Sequence, residues 1–182
     1  MKIMNWTEVE ESTKGGAPLP PGGYVARIVD VEDVPGREYL WIMYDIAEGE
    51  HAGHYSDDFA KNNPWCHRFS RSYKQSAQGM FKAFLMRLQE SNPGRFDVAS
   101  WQATGDERAF VGLEVGLVMQ TEKYTNNKGE DKERLDVVGI YASQDIRNGL
   151  YNMPEPKDTR KPADPFAMPT ADSYVNGAAL PF

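Results

Sequence analysis

Hydrophobic and polar positions alternate most regularly between Tyr39 and Ile46. Leu40, Ile42, Tyr44 and Ile46 share one face of an extended chain, and Tyr39, Trp41, Met43 and Asp45 share the other. The Val- and Ile-rich run Tyr24 to Val31 precedes this segment, with the turn pair Pro35-Gly36 between them, so the two read as a long hairpin. Strand character returns from Cys66 to Tyr73. The period then changes. From Ala77 to Glu90, Met80, Phe81, Phe84, Leu85 and Leu88 form a stripe at helical spacing, and Ser91-Asn92-Pro93-Gly94 ends that helix. Two further strands are predicted over Phe110 to Thr121, with Gly112 and Gly116 inside, and over Leu135 to Tyr141, joined by a turn at Asn126-Asn127-Lys128-Gly129.

Three strands, one helix and two strands is the order of the OB-fold, a five-stranded barrel with its helix between strands three and four. The expected fold is therefore mainly β, with an unrelated α+β sandwich as the alternative. The flanks differ in character. Residues 1–21 read as a lead-in ending in Pro18-Leu19-Pro20-Pro21, and residues 22–150 as the barrel domain. From Tyr151 onward six of the twelve prolines occur without any apolar period, so 151–182 reads as a disordered tail, with an end-to-end reach of roughly 30 Å.

Composition narrows the chemistry. A net charge of −7 argues against nucleic-acid binding by bulk charge but leaves room for a local basic groove, since screening acts over roughly 8 Å at physiological salt. The single Cys66 excludes an intrachain disulfide framework and fits a reducing, cytoplasmic compartment. No apolar run approaches the length of a membrane span, and no signal-peptide pattern opens the chain.

The strongest constellation is His67-Arg68-Phe69-Ser70-Arg71-Ser72-Tyr73-Lys74, where aromatic rings alternate with cations. Single-stranded nucleic acid is held in this way, its bases stacking on rings and its phosphates pairing with cations. As a strand, this run would present His67, Phe69, Arg71 and Tyr73 on one face, with Arg68 and Lys74 on the other. The alternative places Phe69 or Tyr73 in the core beside solvated arginines. Tyr39 and Trp41, on the outward face of the preceding strand, would adjoin Phe69 on one platform. Lys123, Tyr124, Lys132 and Arg134 flank the last turn, although Glu122, Glu130, Asp131 and Glu133 dilute their charge. Signals for catalysis are poor. No GxxxxGK[ST] or GxSxG motif occurs, adjacent Cys66 and His67 point to opposite faces, and His51, His54, Asp57 and Asp58 match no strong metal-ligand spacing. Neither a cofactor nor a resident metal is expected.

Taken in order, Leu19-Pro20-Pro21-Gly22-Gly23-Tyr24, Tyr44-Asp45-Ile46-Ala47-Glu48-Gly49-Glu50, Ser72-Tyr73-Lys74, Phe81-Lys82-Ala83-Phe84, Glu90 to Gly94, Gly112 and Ser143 to Gly149 resemble phage- and plasmid-encoded single-stranded-DNA-binding proteins of OB-fold type. The tip Leu180-Pro181-Phe182 is similar to the aliphatic-Pro-Phe ends of single-strand-binding proteins, but only Asp172 supplies acid near it. The resemblance implies a non-catalytic protein that binds single-stranded DNA during phage replication or recombination and recruits partner proteins through Leu180, Pro181 and Phe182. The oligomeric state is left open. A protein-interaction module without nucleic acid and a metal-dependent nuclease on His51, His54, Asp57 and Asp58 are the competing expectations.

Overall fold

The computed structural model describes residues 19–56 and 63–160. The strands are β1 (Gly22–Val34), β2 (Tyr39–Ile46), β3 (Arg68–Ser72), β4 (Glu114–Thr125), β5 (Asp131–Tyr141) and the short β6 (Lys157–Asp158). The helices are α1 (Gln78–Ser91), α2 (Val98–Gln102) and α3 (Ser143–Arg147). Five strands form an antiparallel sheet in the order β3-β2-β1-β4-β5, and β6 adds in parallel to β4. The sheet is mainly β as expected and is not closed, because β3 and β5 are both edges of the ladder.

β1 is the pivot. Its first half pairs with β4, from Gly22↔Met119 to Arg27↔Glu114, and its second half pairs with β2, ending at Val34↔Tyr39. A bulge between Ile28 and Asp30 inserts Val29. This resets the inward phase, so Ile28 and Val31 are buried while Val29 is exposed. β2 follows its predicted alternation, with Leu40, Ile42, Tyr44 and Ile46 buried. β4 is covered on both faces. Val115, Leu117 and Met119 enter the main core, and Val118 joins Val25 and Ile146 in a smaller cluster on the other side. Gly116 permits that second layer, because a Cβ there would lie 2.6 Å from Ile146 Cγ1 and 2.8 Å from the Ala142 carbonyl.

α1 seats Phe84, Leu85 and Leu88 against β3, β4 and β5. Met80, expected in the apolar stripe, is exposed, whereas Phe81 beside it packs against the core. The predicted strand start at Phe110 is also corrected. Residues Glu107–Phe110 form a 3-10 turn that buries Phe110, and Gly112 takes a left-handed φ of 83° in the turn before β4.

Both expected domain limits shift outward. Leu19 is buried in the main core, so the lead-in joins the fold before residue 22. Residues 151–160 are not loose. Tyr151 packs against Gly23 and receives its N–H, Gln120 Nε2 donates to the Pro154 carbonyl at 2.7 Å, and Thr159 N donates to the Lys123 carbonyl at 2.8 Å. The strap uses the part of the β4 edge that β1 leaves uncovered beyond Met119. Truncation after Leu150 is therefore expected to destabilise the fold by about 2 kcal/mol or more, since buried Gln120 and Glu122 lose partners. An unchanged thermal midpoint would show the strap to be dispensable. The rest of the predicted tail, residues 161–182, lies outside the described residues.

Candidate nucleic-acid interface

The open seam between β3 and β5 forms a cleft of about 520 Å³, lined by Trp41 and Tyr44 of β2, Trp65, Arg68 and Arg71 around β3, and Arg134 to Val137 of β5. Its wall is built from the outward parity of β2 and β3. Trp41 pairs across the ladder with Ser70, and Met43 with Arg68, so Trp41 and Arg68 share the outer face. The 3-10 turn Pro64–Cys66 then places Trp65 on the other side of Arg68. The Arg68 guanidinium lies 3.9 Å from the Trp41 ring centroid and 3.6 Å from that of Trp65, a cation held between two indole faces. Trp65 is 74% exposed, so this stack is on the surface. Tyr39 extends it, edge-on to Trp41 at 5.2 Å.

Arg71 faces the seam from the opposite parity, above the Phe69 ring at 5.0 Å. Desolvation pulls its guanidinium down to about 10 and the Asp136 carboxylate acts against that shift, so it stays protonated near neutral pH. Among the described residues, neither Arg68 nor Arg71 forms an ion pair: Arg68 is stacked between the two indoles, and Arg71 donates Nη1 to the Ser70 carbonyl at 2.9 Å and feels the Asp136 carboxylate.

Several residues expected in the interface are placed elsewhere. Phe69 is 5% exposed and packs edge-on against Phe84, which corrects its assignment as a platform beside Trp41. The two rings lie on opposite faces of the sheet. His67 is buried too, its Nδ1 2.7 Å from the Tyr44 carbonyl and its ring stacked on Tyr55 at 5.1 Å. Tyr73 donates its hydroxyl to Asp33 at 2.9 Å in a separate cavity. Lys74 is exposed beyond the end of β3.

The β4–β5 hairpin neutralises most of its own charge. Lys123 pairs with Glu133 at 3.3 Å, Lys132 with Glu130 at 3.3 Å, and Arg134 donates Nε to Glu122 at 2.8 Å. Burial pushes the Glu122 carboxyl up, but Arg134, Lys157 and Thr159 together hold it below the usual carboxylate range. Tyr124 lies under Arg134 at 5.3 Å. Arg134 thus reaches the cleft while tethered, and Lys123 and Lys132 stand outside its lining.

Trp65 is the residue that sequence reading missed. A tryptophan beside Pro64 in an otherwise polar stretch, three positions before Arg68, was the available signal. As for metal chemistry, no group of three His, Cys, Asp or Glu side chains converges among the described residues, and Asp57 and Asp58 fall outside them. No described helix is long and apolar enough to cross a membrane. No protein-family model matches the chain, and no curated protein matches it.

Proposed function

We propose that the protein is a non-catalytic single-stranded-DNA-binding protein whose curled sheet is an OB-type barrel left open between β3 and β5. The observation that carries this reading is the surface stack Trp41–Arg68–Trp65 beside Arg71, which forms no ion pair among the described residues. Rings offer faces to any base, and the arginines offer charge to phosphates, so binding is sequence-tolerant. The strand order and helix position are those of such a barrel, and the resemblance of the sequence motifs supports a role in phage replication or recombination. The tip Leu180-Pro181-Phe182 enters the reading from the sequence alone, as an apolar anchor with a carboxylate for a partner's basic pocket; it lies outside the described residues.

Titration with oligo-dT, followed by tryptophan fluorescence over a range of salt, tests the proposal. Binding is expected to weaken with salt at a log–log slope of about −0.7 per phosphate neutralised. Trp41→Ala and Trp65→Ala are each expected to lose about 1–3 kcal/mol of affinity with an unchanged melting midpoint. No binding at low salt, or a preference for duplex of equal length, refutes it.

A further inference from the structure

A second cavity lies at the end of β2 and β3 and shares no lining residue with the cleft. Its volume is about 220 Å³, below the usual range for drug-sized ligands and suited to a single side chain. Leu40 is among its lining residues, and Tyr73, Phe81 and Trp101 supply aromatic walls. Successive ring centroids are 6.2 Å and 6.1 Å apart, with planes inclined at 76° and 47°, so the rings form a bent wall rather than a flat stack. The polar ends of this wall are already tied. Tyr73 donates to Asp33, and Trp101 Nε1 donates to the Asp106 carbonyl at 2.8 Å.

Charge then selects the occupant. Asp33 and Glu107 both line the cavity, and neither forms an ion pair among the described residues. Their field reaches the wall. Desolvation, then Asp33, Glu38 and Glu107, push the Tyr73 phenol up. Lys74, Lys82 and Arg108, each adjacent in sequence to a lining residue, do not line the cavity themselves. Aromatic faces with two uncompensated carboxylates repel a phosphate and attract an organic cation. A guanidinium suits them better than an ammonium, because its plane stacks on rings while its edge forks onto a carboxylate. The same molecule shows the first half of that arrangement at Arg68, held between two indoles.

We propose that the Tyr73–Phe81–Trp101 cavity is a docking site for an arginine side chain presented by a partner protein. The site is independent of the cleft and stands whether or not the cleft binds DNA. Its place two residues beyond Arg71 on the same strand end would let a bound partner sit beside the nucleic-acid groove.

The test uses the full chain, ¹⁵N-labelled, titrated with the capped peptide Ala-Ala-Arg-Ala-Ala. Controls are the same peptide with citrulline in place of arginine, and guanidinium chloride. The expected result is a saturable shift of the Trp101 indole N–H with the arginine peptide and none with citrulline, while the Trp41 and Trp65 indoles stay still. Glu107→Gln is expected to weaken the peptide by about threefold, and the double variant Asp33→Asn/Glu107→Gln to abolish the shift. Both substitutions lie at partly or fully exposed positions and leave Tyr73 an oxygen to donate to. Equal shifts with citrulline, undiminished binding by the double variant, or guanidinium binding as tightly as the peptide would each overturn the proposal.

Discussion

Phe69→Ala is expected to destabilise the fold by about 3–5 kcal/mol. Phe69 is nearly inaccessible, pairs across the ladder with Ile42, and meets Tyr44 and Phe84 at centroid distances of 5.9 and 6.2 Å. Removing the ring opens a void where β2, β3 and α1 meet, and none of the three can close it without breaking a ladder or a helix contact. Trp41→Ala, one register position away on the outer face, is expected to leave stability within about 0.5 kcal/mol, because its ring rests on Arg68 and Tyr39 at the surface. Urea denaturation of the pair separates the two faces. Equal midpoints would mean that the parity assigned to β3 is wrong.

Asn92→Ala is expected to cost about 3 kcal/mol although it removes only an amide. The side chain is buried at the end of α1. Its Nδ2 donates to the Leu88 and Glu114 carbonyls, each at 2.8 Å, and its Oδ1 accepts from Glu114 N at 2.9 Å. It thereby satisfies a carbonyl at the helix end and both polar groups of the first residue of β4. Alanine leaves three backbone groups without their partner, at about 1–3 kcal/mol for each that stays dry. Chemical denaturation measures the loss. An effect below that of a surface substitution would show that water replaces the amide.

Much of the frame was legible because β2 and α1 each bury a single face. β2 advertises its parity through four apolar residues at alternate positions, and α1 through Phe84, Leu85 and Leu88. Parity was illegible in β3. Its five residues carry one apolar side chain, and the surrounding cations and rings fit either face until Ile42 and Met43 supply the register. The β1 bulge was hidden for a related reason, since Val29 continues a Val- and Ile-rich run and nothing in that run marks the inserted residue. The strap after Tyr151 escaped notice because its hold on β4 rests mainly on backbone groups and a few polar contacts, which leave no apolar period. Of the residues expected to bind, Trp41, Arg68 and Arg71 line the cleft. Sequence could not find the Arg68–Trp65 contact, which depends on a turn bringing a loop residue back over the strand.

The division of β1 between two partners also sets how the molecule comes apart. Ala26 is opposite Ile46 on one side and Val115 on the other, and Arg27 is opposite Asp45 and Glu114, so these two residues belong to both halves of the sheet. Peeling β4 away strips the inner edge of the β1–β2 hairpin, and peeling β2 away strips the support of β4. Neither half retains a core by itself. A cut in the loop between β2 and β3 would yield fragments that fold only on meeting, and thermal unfolding should proceed as one cooperative transition rather than in stages.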